Sequence, residues 1–211
     1  MNLKKTLQEP MRRRQTRKYE ERISSQTVAY HDWILKKEKA EREGSALLGQ
    51  ELSIEYIAYS GCGEAFSLKD ADADLTVFYG DGGKPEKEEM GLLADYFARH
   101  PQVLIAYGDE DEVDASSGEP RRKNPWLKPD WSPDTLISYF YFGNIFAVRT
   151  EVCREIPWLG NRDFRKNLYD FCLKAVEIKG EAGHIDSVLF HNTCPICPFG
   201  MEEKYEDIKK E

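Results

Sequence analysis

The hydrophobic positions of this chain recur with two different periods, and their alternation predicts the order of elements. From Glu20 to Glu43, Ile23, Thr27, Tyr30 and Ile34 fall three or four apart, with Trp33 and Leu35 widening the stripe. That spacing predicts a helix, which Gly44 stops. Leu52 to Ala58 alternates weakly and predicts a strand. Asp74 to Tyr79, rich in β-branched and aromatic residues, predicts a stronger one. Gly80-Asp-Gly-Gly83 reads as a tight turn. Pro85 opens a helix with Glu86, Glu88 and Glu89 in its first turn, where carboxylates suit the positive helix end. Met90, Leu93, Ala94 and Phe97 form its buried stripe, and His100-Pro101 ends it. Val103 to Tyr107 is almost wholly apolar, as a strand buried on both faces would be.

Strand, helix and strand of these lengths predict a βαβ unit with a parallel pair and a right-handed crossover. Ligands of such units sit beyond the carboxyl ends of the strands. Here those ends are Gly80-Asp81 and Gly108-Asp109. Gly108 to Asp130 reads as a long polar loop. Ser132 is a good N-cap, with Pro133 at the first helical position and Asp134 in the first turn of a short aromatic helix. Further expectations are a strand at Ile145–Arg149, a helical turn at Thr150–Glu155, a helix at Phe164–Lys179 and a final strand at His184–His191. No repeat of 20–50 residues is visible.

Composition narrows the class. The chain has 211 residues, 40% of them hydrophobic, enough for one sizeable core. No apolar run approaches the ~20 residues of a spanning helix, and the basic start lacks the apolar region of a secretory signal. The net charge is -8 and uneven. Residues 1–43 hold 12 basic and 7 acidic residues, and the remainder holds 18 and 31. An acidic body argues against nucleic acid as a partner. The basic stretch from Arg12 to Arg22 suits a peripheral membrane contact, an acidic partner or a solvated helix.

Three constellations carry candidate chemistry. Asp109 and Asp111 flank Glu110 at the end of a buried strand, where two carboxylates on a turn can share a divalent ion with a diphosphate. Trp126 to Asp134 brings Trp126, Lys128, Asp130, Trp131 and Asp134 together with two prolines, Pro129 and Pro133, within nine residues. Aromatic faces stack on sugar C–H surfaces, Asp and Lys bond hydroxyls, and prolines lower the cost of ordering the loop. A lid packing its tryptophans inward is the competing explanation. Cys194-Pro-Ile-Cys197 is an isolated CxxC, which with His184 or His191 would be half a zinc site. A redox or zinc protein is therefore the reading from another class, against free thiols in a reducing cytoplasm; Cys172 reads as packing.

Several segments together resemble the bacterial family 2 glycosyltransferases. Tyr107-Gly-Asp-Glu-Asp-Glu-Val-Asp114 resembles that family's Y-S-D-E-D, and Trp126-Leu-Lys-Pro-Asp-Trp-Ser-Pro-Asp134 its F-K-P-D-W-S-P-D. Tyr141 to Arg149 resembles its N-Y-I-G-H segment and following strand. Tyr169-Asp170 with Leu173-Lys174 resembles its D-Y-D-L-x-L-R helix, and His184 to His191 its H-I-P-x-V-L-Y-H strand. The likeness runs in order from about residue 74 to 191. It implies an α/β, GT-A-like (Rossmann-like) mixed sheet over residues 45–200, after a basic segment (1–19) and a helix (20–44), with a charged tail (201–211). It also implies a UDP-linked nucleotide-sugar donor, a divalent cation such as Mn or Mg, a carbohydrate acceptor, and a cytoplasmic site at the inner membrane face.

The departures from the pattern are physical. The family's D-x-D falls on Gly80 and Gly82, with only Asp81 between. Its acidic pair with the catalytic base falls on Asn167 and Leu168, leaving Asp170 as the candidate. The nucleotide-binding half before Asp74 is shortened. What carries over is Asp109, Asp111, Lys128, Asp130, Trp131 and Asp134 as substrate-binding residues, with Asp109, Asp111 and Asp81 as candidate metal ligands. The expectation is a glycosyltransferase-related domain of cell-surface polysaccharide synthesis with weak or no activity by itself, accompanied by further glycosyltransferase domains of the same gene product. The alternative is a non-catalytic carbohydrate-binding or scaffolding module.

Overall fold

The computed structural model describes residues 16–18, 29–44, 52–59, 72–80, 82–116, 118–156, 164–179 and 181–194. Asp81 and Cys197 lie outside these residues. The chain divides into two compact units, Met1–Glu43 and Gly44–Glu211. The described residues of the first include 16–18 and most of a helix, α1 (Tyr30–Gly44), with Tyr30 and Trp33 in ring contact and Lys37 paired to Glu41 one turn on.

The second unit is a mixed α/β, Rossmann-like layer structure. Its strands are β1 (Ile54–Tyr59), β2 (Leu75–Gly80), β3 (Ile105–Asp114), β4 (Arg121–Trp126), β5 (Ile145–Arg149) and β6 (Ala182–Asn192). Its helices are α2 (Lys87–Arg99), α3 (Pro133–Ser138), α4 (Thr150–Glu155) and α5 (Phe164–Lys179). The sheet runs β1-β2-β5-β3-β4, and β6 pairs with β3. The β1/β2 and β3/β6 pairs are parallel, and the other three are antiparallel. No described helix is long and apolar enough to cross a membrane.

Strand alternation sends neighbouring side chains to opposite faces, so the sheet has a core on each. Leu75, Val77, Ala106, Ile145 and Ala147 pack with Met90, Leu93 and Phe97 of α2. Phe78, Tyr107, Phe146 and Val148 pack with Leu136, Val152, Leu168, Cys172 and Ala175 of the other helices. The stripe expected on α2 is therefore buried, except that Ala94 is only half-buried. Arg149 ties the layers together, donating from Nε to the Val103 carbonyl at 2.9 Å and from Nη2 to the Phe97 carbonyl at 2.9 Å. A cation at the end of α2 also suits the negative end of the helix.

Two expectations need correction. The strands of the βαβ unit run parallel, but they are not a bonded pair: β5 lies between them, antiparallel to both. The segment Gly108–Asp130 is no loop either. β3 continues through its acidic residues to Asp114 and folds back into β4, with Glu112 opposite Lys123, Val113 opposite Arg122 and Asp114 opposite Arg121. A carboxylate-rich strand is invisible to hydrophobic patterning, because it is buried through pairing with nitrogen donors rather than through apolar contact. Ser132 does cap α3, its Oγ accepting from the Thr135 backbone N–H.

Candidate functional site

The acidic end of β3 sits between β4, β6 and the segment that leads from β4 to α3. Asp109, Glu110 and Asp111 are 2%, 0% and 0% exposed. Sequence alone placed them at a solvent-facing turn; in the structure each is a paired interior group.

Consecutive strand residues face opposite ways, and the partners divide accordingly. On one face, Asp109 Oδ1 accepts the Lys128 backbone N–H at 2.8 Å and faces His184 Nε2 at 3.1 Å. Asp111 Oδ1 lies 2.6 Å from His191 Nδ1, and its Oδ2 accepts from Arg122 Nε. On the other face, Glu110 Oε1 accepts from Lys128 Nζ at 2.6 Å and from the Asn144 backbone N–H at 2.6 Å. Its Oε2 accepts from the side-chain amides of Asn144 and Asn192 at 3.2 and 3.1 Å. Glu112 Oε2 accepts from Asn124 at 2.8 Å.

Lys128 is the hub of the second face. Its side chain and that of Glu110 are both fully excluded from solvent, and it also donates to the Phe142 carbonyl. Burial pushes its ammonium pKa down, opposed by the charges of Glu110 and Asp109. Gly143 passes directly over this pair with φ +76. A Cβ there would land on Glu110 Oε1 and 2.7 Å from Lys128 Nζ, so only glycine fits on both conformational and spatial grounds.

His184 joins the strand to the loop. It stacks on Tyr107 with ring centroids 5.1 Å apart, and its Nδ1 lies 3.0 Å from Asp130 Oδ1. Burial disfavours the imidazolium, but Asp109 and Asp130 outweigh it and the pKa is raised. A ring facing carboxylate oxygens through both nitrogens satisfies both contacts only when doubly protonated. Tyr107 donates from its hydroxyl to the Pro129 carbonyl at 2.8 Å, so the loop is held at three successive residues.

Of the loop residues singled out from sequence, Lys128 points inward, while the Asp130 side chain is 99% exposed and Asp134 is exposed on the first turn of α3. Trp131 is half-buried, 6.3 Å from the Phe142 ring. Leu127 and Ile137 are large apolar side chains left exposed nearby in sequence. Asp170 lies on α5 and pairs with Lys174, one turn on. Leu168 is fully buried in the core, and Asn167 is buried too. Cys153 and Cys172 are buried and Cys194 is exposed.

The Gly80–Gly83 turn meets this network. Gly80 N–H donates to the Asn144 carbonyl at 2.9 Å, and the Gly82 carbonyl accepts from Thr193 N–H at 2.6 Å. A Cβ on Gly80 would lie 2.9 Å from Asn144 Oδ1, and one on Gly82 would lie 3.1 Å from both Asn192 Oδ1 and Cys194 Sγ. Asn144, Asn192 and Arg122 were not among the site residues expected, and His184 and His191 were raised only as partners of Cys194 and Cys197 in half a zinc site. Each is an unremarkable polar residue until strand pairing brings it opposite a carboxylate. Only the spacing of His184 and His191, which mark the two ends of one strand, carried a signal.

A divalent ion takes six or more oxygen ligands, or four in tighter nitrogen and sulfur sites. Among the described residues, no group of three or more His, Cys, Asp or Glu side chains is placed to hold one. Asp111 has both oxygens engaged by nitrogen partners, so it does not fit its expected half of a metal site shared with Asp109.

No family model matches the chain. It is 29% identical over 182 residues to the O-antigen biosynthesis protein RfbC of Myxococcus xanthus, a match covering 80% of this chain. The same match covers 14% of that protein, so the chain spans a small part of the length of its relative.

Proposed function

We propose that this chain is a glycosyltransferase-related domain of polysaccharide synthesis that holds carbohydrate and transfers little or no sugar by itself. The direction of the reading comes from the likeness to an O-antigen biosynthesis protein over 80% of the chain. The observation that carries the loss of transfer is the state of β3. Asp109, Glu110 and Asp111 each accept from or face Lys128, Arg122, His184, His191 or an asparagine, so each of these buried carboxylates is already a paired group.

Transfer by direct displacement needs a base at the acceptor hydroxyl, worth roughly 10²–10⁴ in rate. At the position the family uses, this chain has Leu168, which accepts no proton. The next acid, Asp170, is held by Lys174. What the geometry leaves for sugar is the outer surface of the loop: Asp130 and Asp134 as acceptors for hydroxyls, and the half-buried ring of Trp131 as a stacking face. Asp109, Asp111 and Lys128 act behind that surface as its supports. A donor linked through UDP and an acceptor glycan held by neighbouring domains of a longer protein complete the proposal.

The test is turnover of a panel of nucleotide sugars by the purified chain with Mn²⁺, read as released nucleotide, beside glycan binding by the same protein. The expected result is glycan binding without turnover, with binding weakened by Trp131→Ala. Metal-dependent turnover abolished by Asp109→Asn would overturn the loss of activity.

A further inference from the structure

We infer that the acidic end of β3 carries its own counter-ions and excludes divalent cations, so that this domain engages its sugar ligand without metal. The sugar half of that statement rests on the reading proposed above. The cation half rests on the geometry alone.

Four consecutive carboxylates, Asp109 to Glu112, would ordinarily draw a hard cation. Here at least one oxygen of each is directed at a nitrogen, and both oxygens of Glu110 and of Asp111 are. Lys128 Nζ occupies the centre of one face at 2.6 Å from Glu110 Oε1, a fixed monovalent charge that no solvent reaches. On the other face, Arg122 and His191 take the two oxygens of Asp111, and His184 with the Lys128 backbone N–H share Asp109 Oδ1. A metal entering between the oxygens of Glu110 has to displace the buried Lys128 ammonium, and one chelated by both oxygens of Asp111 has to displace Arg122 and His191.

The opposing turn is altered in the matching sense. Gly80 and Gly82 offer no carboxylate, and the space their side chains would take is filled by the amides of Asn144 and Asn192. Those same amides donate to Glu110 Oε2. The missing turn carboxylates and the neutralised strand are thus two sides of one packed arrangement. An aspartate placed at Gly80 would need the Asn144 amide to shift, and one at Gly82 would crowd Asn192 and Cys194.

The consequence for ligand class follows from charge. Without a cation, a nucleotide diphosphate approaching this site meets the carboxylate-rich strand of a chain of net charge -8, which repels its phosphates. A neutral, hydroxyl-rich glycan carries no such penalty. The structure therefore assigns the loop surface to a neutral glycan rather than to a metal-chelated nucleotide diphosphate.

The experiment has two arms on the full chain. The first titrates MnCl2 and follows free Mn²⁺ by its electron paramagnetic resonance signal, with melting curves in MnCl2 and in EDTA. The expected result is no uptake and an unchanged melting midpoint. Removing counter-ions by Arg122→Met, and by Arg122→Met with Lys128→Met where that protein folds, should create Mn²⁺ uptake. Stoichiometric uptake by the unaltered chain, lost in Asp111→Asn, would overturn the cation half. The second arm probes an array of neutral and anionic bacterial glycans in EDTA and again in MnCl2. The same neutral glycans should bind in both; binding only in MnCl2 would overturn the inference while leaving the carbohydrate reading intact. An array blank in both conditions refutes the carbohydrate reading, and the Mn²⁺ titration still decides the cation half.

Discussion

Replacing Lys128 with methionine keeps the volume and apolar stem of the side chain and removes its charge. Glu110 is then left with three amide donors but no cation, in a site where neither side chain had any exposure. Two routes are open to it, and they bracket the cost. If it stays ionised, breaking a buried ion pair costs about 3–5 kcal/mol. If it protonates instead, the cost at about pH 7 is the gap to an ordinary glutamate near ~4.3, roughly 2.7 units at about 1.4 kcal/mol each, or ~3.7 kcal/mol. Protonation sets the ceiling, so the expected loss is about 3–4 kcal/mol. That is a large share of the ~5–15 kcal/mol that holds a domain together. At roughly 2–4 °C per kcal/mol for a domain of this size, the melting midpoint falls by roughly 6–16 °C.

The sign of the pH dependence separates charge from packing. In the variant, the folded-state pKa of Glu110 is raised above its unfolded value. The deficit is therefore full near neutrality and shrinks as pH falls toward the unfolded value, to about 1 kcal/mol near pH 5. Urea unfolding followed by tryptophan fluorescence at the two pH values measures this. Lys128→Met combined with Glu110→Gln should recover most of the loss, since the amide keeps an acceptor for Asn144 without the charge. A loss below about 1 kcal/mol, a deficit that does not change with pH, or a double variant no better than Lys128→Met would refute the argument.

Gly143→Ala should destabilise by about 3 kcal/mol, the sum of a left-handed backbone and a Cβ driven into Glu110 and Lys128; denaturant titration measures it, and a neutral result refutes the packing described. Native alkylation should label Cys194 and spare Cys153 and Cys172, since burial pushes the Cys153 thiol up to about 12 and Cys172 well above its usual value; mass spectrometry reads the sites. The raised pKa of His184 contributes stability that is fully present below the ordinary value near ~6.5 and is lost as pH rises through the folded value. His184→Gln should flatten the stability curve across that window, and an unchanged slope would show that another group is responsible.

Local sequence determined most of the elements. The stripe of α2, the cap at Ser132, the strand Ile145–Arg149 and the helix Phe164–Lys179 were readable because each is set by neighbours within a few residues. What only the tertiary structure decided is the state of the segment Trp126 to Asp134 and of β3. Insertion of β5 between β2 and β3 depends on a strand some forty residues downstream, which no local period encodes. Asp109 and Asp111 looked like ligands awaiting a cation because an aspartate reads the same in sequence whether it faces water or a buried histidine. Pairing of β3 with β6 brings His191 opposite Asp111 across 80 positions of chain and His184, opposite Tyr107, within 3.1 Å of Asp109. The charge of a carboxylate is written in the sequence; what neutralises it is chosen by the fold, because Coulomb attraction acts through space and low dielectric makes the nearest partner decisive.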